Sequence, residues 1–543
     1  MHQLVNLVRC STGWRRALIA ALAGAASVLA MAPFFAWPIL FLTLPVLIWL
    51  VDASAAAPSL SPRSWQPATR AAVAGWWFGF GYFLAGLFWI GEAFLVEAEK
   101  FAILMPFAVC LLPAGLALFW AAATGAARLV WKPGFGRIPA LAVTLSVAEW
   151  LRGHLFTGFP WNVLGYALTW PLVLMQSSAL LGIYGLTLVA IVVFASPAVL
   201  WIDAAERLVP ERWRFGGFLT AGVPIAALAM WGAMRLATPE PPSVEHVRVR
   251  LVQPSVPQRE KWRPENQERI FREHLDLSLR SSAGVVDDAA GLNLIVWPEA
   301  AMPFLPLNAP RALAEIGQIL PSGTHLASGA LRIEDGTPGV RRRIYNSLIV
   351  FGEGGQPTAI YDKIHLVPFG EYLPLQAALE AIGLEQLTRI RGGFDTGVVP
   401  RPLLRIPGLP SIGPLICYEA IFPGEVVQGG QRPAALLNVT NDGWFGNTTG
   451  PRQHLHQARV TAVEQGLPML RVANNGISAV IDAKGRLLHR LELDVKGVID
   501  SALPGALAPP PYAAFGDWIF ALLLVASAAA AMLGAVIRGA RRT

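Results

Sequence analysis

Three kinds of feature are scarce in this chain, and each scarcity excludes something. Cysteine occurs only at Cys10, Cys110 and Cys417 in 543 residues. An odd, sparse set of this kind does not build a disulfide framework. Charged side chains make up 15% of the sequence against 54% hydrophobic, whereas ordinary soluble domains carry about 25% charged residues. The excess apolar surface therefore has to face something other than water, and lipid is the obvious candidate. Cys/His clusters at zinc spacing and Gly-rich phosphate loops are missing as well, so neither a metal nor a cofactor is expected. The formal charge is +7, but Lys and Arg are scattered between apolar runs instead of gathered in one patch. That pattern fits membrane topology and not nucleic-acid binding.

Long apolar runs are what the chain has in abundance. A helix needs about 20 apolar residues to cross a bilayer. Seven such runs precede residue 240, at 16–34, 36–52, 72–95, 102–127, 136–152, 172–202 and 215–237, and an eighth lies at 515–537. The run at 136–152 is the least regular, because Glu149 and Arg152 sit at its end. Arg9, Arg15 and Arg16, then Arg63 and Arg70, then Arg128, Lys132 and Arg137, then Arg207, Arg212 and Arg214, and finally Arg538, Arg541 and Arg542 occupy alternate connections. The positive-inside rule then puts both termini in the cytoplasm and residues 238–512 on the outer side. Arg15-Arg16 with the apolar stretch ending Leu29-Ala30-Met31-Ala32 has the look of a cleavable signal peptide, but a second apolar run follows almost at once and favours a helical hairpin. The expected organisation is a membrane domain over 1–238 with seven transmembrane helices, an outer domain over 239–511, and a last transmembrane helix with a cytoplasmic tail over 512–543.

The outer segment reads as one α/β domain. Val247 to Gln253 alternates as a strand does, and Leu292–Trp297, Tyr345–Phe351, Ser411–Ile416, Ala434–Val439 and Ile477–Ile481 are short apolar runs consistent with buried strands. Residues 265–281 and 452–465 have helical composition. Three chemically capable side chains stand at predicted strand ends: Glu299 after Leu294-Ile295-Val296-Trp297-Pro298, Lys363 after Tyr361-Asp362, and Cys417 after Leu415-Ile416. Taken singly, each has a bland explanation: a surface carboxylate, a solvated amine and a small buried hydrophobe. Cys10 and Cys110 keep that explanation. Together the three make an acyl-transfer set, since a carboxylate can take the thiol proton and a lysine can steady the charge that develops.

The combination resembles the nitrilase superfamily. The resemblance rests on Trp297-Pro298-Glu299, on Lys363-Ile364-His365-Leu366-Val367-Pro368-Phe369-Gly370-Glu371-Tyr372, and on Cys417-Tyr418-Glu419, in that order. More narrowly, the chain resembles the bacterial apolipoprotein N-acyltransferase family. Asn441-Asp442-Gly443-Trp444-Phe445-Gly446, Gly450-Pro451 with Gln453-His454, and Asn474-Asn475-Gly476 add to this, as do Glu149-Trp150-Leu151-Arg152-Gly153 and Thr157-Gly158-Phe159-Pro160-Trp161 in the membrane half. Arg452 departs from the pattern, at a position where the resemblance leads one to expect an aromatic residue.

The resemblance implies a polytopic α-helical membrane domain of about eight transmembrane helices joined to an αββα sandwich. It implies that Cys417 takes an acyl chain from a membrane phospholipid as a thioester and passes it to the N-terminal α-amine of the diacylglyceryl-cysteine of an apolipoprotein. Glu299 is then the general base, and Lys363 with the backbone N–H of Tyr418 holds the oxyanion. Glu371 lends electrostatic support, Tyr418 and Glu419 shape the site, and Asn346 and Trp262 are further supporting or substrate-binding residues. The implied partners are a phospholipid donor, a diacylated apolipoprotein acceptor and membrane lipid, with the enzyme a monomer in the bacterial inner membrane. The apolar positions Leu373, Leu375, Leu379, Ile382, Leu384, Leu387 and Ile390 suggest a mobile arm over 373–390 that dips toward lipid, or else an amphipathic helix packed on the domain. Gly158-Phe159-Pro160-Trp161 is a candidate floor for the lipid site. Two rival functions share parts of this pattern. One is a membrane-tethered amidase. The other is a transporter or scaffold, which the small number of ionisable residues within the spans disfavours.

Overall fold

The structure is a computed structural model that describes residues 2–55, 66–132, 134–201, 214–284, 289, 291–334, 342–381, 386–388 and 392–539. The chain divides into two compact units. One comprises Met1–Gly91, Leu104–Thr238 and Pro510–Thr543, and the other comprises Glu92–Ile103 and Pro239–Pro509.

The first unit is helical. Among the described residues, four helices are long and apolar enough to cross a membrane: Gln66–Leu95, Ala98–Leu129, Ser178–Ala198 and Phe218–Ala237. Trp37–Ala53 and Trp518–Ala529 are shorter apolar helices. The expected spans at 16–34 and 136–152 overlap helices Gly13–Ser27 and Arg137–His154, which are not among the four. The second of these carries Arg137, Glu149 and Arg152, all buried within the unit. Arg152 pairs with Glu149 at 2.6 Å, and Arg137 with Asp52 at 2.9 Å. Trp120 donates its indole N–H to Glu149 at 2.7 Å. A buried charge is tolerated when it is paired in this way. Arg152 also donates to the carbonyls of Phe159 and Trp161, so it pins the Gly158–Trp161 turn. The expected run 172–202 is interrupted, with a short helix Leu172–Met175 preceding Ser178–Ala195. Gly182 inside the latter has φ +64, which no continuous helix accommodates. Large apolar side chains such as Leu111, Leu118, Phe218, Leu219, Leu522 and Val525 remain exposed. On a water-facing protein a surface of this kind is a liability; against lipid it is the natural exterior.

The second unit carries eleven strands among its described residues. They are β1 (Arg248–Gln253), β2 (Leu294–Trp297), β3 (His325–Glu334), β4 (Arg343–Phe351), β5 (Pro357–Asp362), β6 (Ile412–Ile416), β7 (Ala435–Thr440), β8 (Met469–Ala473), β9 (Ser478–Ile481), β10 (Leu487–Leu491) and β11 (Gly497–Ala502). They form a six-stranded sheet in the order β11-β1-β2-β3-β4-β5 and a five-stranded sheet in the order β10-β9-β8-β7-β6. Strands β1, β2 and β3 run parallel, as do β6, β7 and β8. The near-continuous apolar runs of β2, β6 and β7 follow from burial on both faces. Helices Gln267–Ser278 and Pro310–Ile319 cover the outer face of the first sheet through Phe271, Leu275, Ala312 and Ile316. Helix Gly450–Gln465 covers the second through Leu455, Ala458 and Ala462. The result is an αββα sandwich. A buried arginine closes one edge: Arg250 on β1 faces Asp500 on β11 in register and pairs with it at 2.7 Å.

Sequence periodicity reveals six of these strands and leaves five unseen. Strands β3, β5, β10 and β11 mix polar and apolar side chains, and β8 contains Arg471 in the middle of a fully buried stretch. Strand β3 also holds a close backbone approach beside Glu299. A Cβ on Gly329 would lie 2.5 Å from Glu299 Cα and 2.6 Å from the Pro298 carbonyl oxygen. Glycine at 329 is what allows the residues after β2 to settle directly on the neighbouring strand.

Gly329→Ala is expected to destabilise the second unit by about 1–3 kcal/mol through overpacking against backbone, read as a lower thermal unfolding midpoint in detergent. An unchanged midpoint would show that the backbone has room to relax there.

Candidate active site

Three strand ends deliver the side chains singled out in the sequence. Glu299 lies two residues past β2, Lys363 directly follows β5, and Cys417 directly follows β6. The first two come from one sheet and the third from the other. Ligand sites in parallel α/β sheets form at the carboxyl ends of strands, and all three residues stand at such ends. Glu299, Lys363 and Cys417 are all buried.

Lys363 is the hub. Its ammonium donates to Glu371 Oε1 at 2.9 Å and lies 3.7 Å from Glu299 Oε1. Asn346, on β4, donates through Nδ2 to both carboxylates, at 2.8 Å to Glu299 and 2.9 Å to Glu371. The remaining oxygens are taken too. Glu299 Oε2 accepts the backbone N–H of Asn441 at 2.8 Å, and Glu371 Oε2 that of Val367 at 2.8 Å. Burial alone would push the Lys363 ammonium down. Glu371, Glu299 and Cys417 outweigh it and hold its pKa above the usual lysine range.

The Cys417 thiol is pushed the other way. Burial raises its pKa most; Glu299 and Asp442 add to the rise, while Lys363 and a hydrogen bond to Thr440 oppose it. At neutral pH the resting group is therefore a thiol. Cys417 also sits at φ +54, a region that costs a non-glycine residue about 1–2 kcal/mol. That conformation lies where β6 turns into the short helix Cys417–Ile421, and a strained residue persists only where its surroundings over-determine it. Here the surroundings are a buried network. Asn438 donates to the Cys417 carbonyl at 3.0 Å, and His454 Nε2 lies 3.3 Å from the same oxygen. His454 Nδ1 lies 2.9 Å from Asp442, and Arg471 pairs with Asp442 at 2.8 Å and contacts Asn438. Burial would raise the Asp442 carboxyl, but Arg471 and His454 hold it down at about 2.

Glu419 does not face the thiol. Its carboxylate accepts from the backbone N–H groups of Ile416 at 2.7 Å, Ile364 at 2.9 Å and His365 at 3.1 Å, and from Tyr361 Oη at 2.8 Å. Arg401 lies 3.1 Å away. This one side chain ties the end of β6 to the residues after Lys363. Tyr418 donates its hydroxyl to the Leu366 carbonyl at 2.7 Å, and its ring lies 5.6 Å from the Lys363 ammonium, within cation–π range.

The expected supporting residues therefore separate. Glu371 and Asn346 meet Lys363 and Glu299 directly, and Tyr418 and Glu419 frame the loop that carries Cys417. Trp262 stands 43% exposed, and the residue before it is the one that reaches the site. Lys261 is buried and donates to the Glu299 backbone carbonyl at 3.0 Å. Burial lowers its pKa to about 8, opposed by Glu299. Lys261, Asn438, Thr440, Asp442, His454 and Arg471 were not among the residues singled out as site members. A lone arginine inside an apolar strand was the available signal for Arg471, because such a charge is buried only with a partner. Arg452 donates to the Thr448 carbonyl at 2.5 Å and to Asn447 at 3.1 Å, bracing the loop before helix Gly450–Gln465. In the segment 373–390, Leu373 is buried, Leu375 is 82% exposed and Gln376–Ala381 is a short helix. Ile382, Leu384 and Ile390 lie outside the described residues. Among the described residues no His/Cys/Asp/Glu group could hold a metal ion.

Two family models match the chain, one described as "Apolipoprotein N-acyltransferase N-terminal domain" over residues 23–196 and one as "Carbon-nitrogen hydrolase" over residues 248–508. Curated relatives are similar over nearly their whole length. An apolipoprotein N-acyltransferase of Rhodopseudomonas palustris is 50% identical over 96% of this chain and 96% of its own. That of Bradyrhizobium diazoefficiens is 46% identical over 97% and 96%, and that of Rhizobium meliloti 43% identical over 99% and 100%.

Asp442→Asn is expected to destabilise the unit by about 3–5 kcal/mol, because it leaves the Arg471 charge buried without its partner. The pH dependence has a definite sign. A carboxyl held at about 2 in the folded state, against 3.8 ordinarily, adds stability above about pH 4 that is lost as pH falls toward 2. The variant's unfolding midpoint should therefore change less between pH 4 and pH 2 than the parent's. An equally steep acid limb in both would remove Asp442 from the account.

Proposed function

The chain belongs to the apolipoprotein N-acyltransferase family, a bacterial inner-membrane family whose activity is N-acylation of lipoproteins, and from that premise we propose how its own residues perform the reaction. Glu299 takes the proton of Cys417 as the sulfur attacks the ester carbonyl of a phospholipid acyl chain. The S–C bond forms, the C–O bond breaks, and Glu299 returns the proton to the departing lysophospholipid alkoxide. The α-amine of a diacylglyceryl-cysteine then attacks the thioester. The N–C bond forms, the S–C bond breaks, and the amine proton passes through Glu299 back to sulfur. Lys363 and the backbone N–H of Tyr418 stabilise the oxyanion in both halves. Glu371 and Asn346 are positioning residues for Lys363 and Glu299.

A single observation carries this reading: a thiol, a carboxylate and an ammonium buried together, with the ammonium held by two carboxylates and the thiol left to give its proton away. The raised thiol pKa calls for a base during attack, and Glu299 is the carboxylate that interacts with both Cys417 and Lys363. The substrates explain why such an enzyme lives in a membrane. Drawing an acyl chain into water costs about 0.8 kcal/mol per methylene, which a site close to the bilayer avoids. We assign eight helices to the membrane, both termini to the cytoplasm, residues 239–511 to the periplasmic side and the enzyme to a monomer. The loop-charge pattern supports this orientation. The exposed Phe369 and Leu375 support a lipid-facing role for the loops after Lys363.

Incubation with labelled phospholipid is expected to leave a hydroxylamine-labile acyl mass on Cys417. Cys417→Ala should carry none, and Glu299→Gln should acquire it about 10²–10⁴ times more slowly, the usual worth of a general base. An acyl group found on another residue, or none in the parent, would sink the thioester route. A phosphatase reporter fused within 239–511 should be active as a periplasmic enzyme, and a cytoplasmic reporter at the same point silent; the reverse result would overturn the orientation.

A further inference from the structure

A cavity of about 490 Å³ lies in the second unit, with Glu92, Ser255, Gln258, Arg259, Asn475 and Asp494 among its lining residues. Two of its side chains have buried polar atoms without a hydrogen-bond partner, Gln258 Nε2 and Asn475 Oδ1. Gln258 is only 7% exposed. Leaving a buried donor or acceptor unpartnered forfeits its hydration with nothing in return, so a matched pair beside one cavity calls for a ligand that supplies the complements.

The orientation of the Gln258 amide is forced from its far end. Val256 fixes Asn474 through its own backbone, donating N–H to Asn474 Oδ1 at 3.2 Å and accepting from Asn474 Nδ2 at 2.8 Å. Asn474 Nδ2 also donates to Asn441 Oδ1 at 3.2 Å, which leaves Asn441 Nδ2 to donate to Gln258 Oε1 at 2.8 Å. Each amide sets the next, and the series ends with Gln258 Nε2 as a free donor facing no acceptor. The same Asn441 gives its backbone N–H to Glu299. The cavity wall is therefore joined to the proposed base by two hydrogen bonds, a separation on the order of 10 Å that about three extended residues cover.

We infer that this cavity seats the polypeptide of the acceptor, the few residues after its acylated cysteine, with one peptide group accepting from Gln258 Nε2 and donating to Asn475 Oδ1. A free amide donor and a free amide acceptor are the complement of a peptide bond. The charges agree: Glu92 and Asp494 against Arg259 leave one net negative charge in the lining, which disfavours a phosphate head group and suits a neutral or basic peptide. The inference rests on the acyl-transfer reading above and names the part of the second substrate that this wall receives.

The test uses the full chain in detergent and two acceptors whose α-amines are acetylated so that neither reacts. One is a fluorescent diacylglyceryl-cysteinyl tetrapeptide, and the other is the diacylglyceryl-cysteine amide with no following residue. Asn475→Ala and Gln258→Glu, the latter keeping the acceptor toward Asn441 while removing the free donor, should each weaken the tetrapeptide about tenfold and leave the amide unchanged. Equal weakening of both acceptors, or of neither, would overturn the inference, as would displacement of the tetrapeptide by glycerophosphoethanolamine alone. The labelled-phospholipid adduct on Cys417 is read separately in the same samples. Its absence from the parent would sink the acyl-transfer mechanism, while the comparison of the two acceptors would still report on the cavity.

Discussion

The site depends on one buried ammonium. Lys363 can remain charged without water only because Glu371 and Glu299 stand beside it, and those carboxylates can remain close together only because Lys363 and the Asn346 amide lie between them. Lys261, against the backbone of Glu299, adds a second buried cation. Two carboxylates and two amines make a formally neutral cluster, which is the condition for burying so many charges together. Removing any one member would leave another uncompensated.

Cys417 is held by a different set of side chains, on and beside the other sheet. Asp442, Arg471, His454 and Asn438 lie behind the Cys417 backbone and fix its carbonyl, so the strained φ is maintained from below. Glu419 joins the two halves. One carboxylate accepts backbone N–H groups from the β6 end and from the segment after Lys363. Position in the site thus comes from hydrogen bonds to main chain, which move less than side chains and leave the reacting groups little freedom to drift.

Much of this was legible in the residues themselves. The strand ends bearing Glu299 and Cys417 follow from short apolar runs that terminate in a polar residue, and the block from Lys363 to Tyr372 marks Lys363 and Glu371 as their companions. What could not be read came from contacts across the sandwich. Asn346 looks like a turn amide until β4 sets it between two carboxylates, Lys261 looks like a solvated amine beside a tryptophan, and Gly329 matters only because β3 lies directly under Glu299. Strands β3, β5, β10 and β11 escaped because their exposed positions break the apolar pattern, and β8 because its buried arginine does. In the helical unit, the charges that make 136–152 the least regular of the expected spans are paired, Arg152 with Glu149 and Arg137 with Asp52.

Glu299 and Lys363 follow strands β2 and β5 of one sheet, whereas Cys417 closes β6, the first strand in chain order of the other. Strands β7 and β8, which carry Asn438 and Arg471, follow the cysteine in the chain. During synthesis the sulfur therefore emerges before the side chains that hold its backbone carbonyl. On the mechanism proposed above, a chain that ends before Asn438 lacks the contacts that hold the Cys417 carbonyl and the Glu299 carboxylate, so the order of synthesis withholds lipid deacylation until the second sheet is complete.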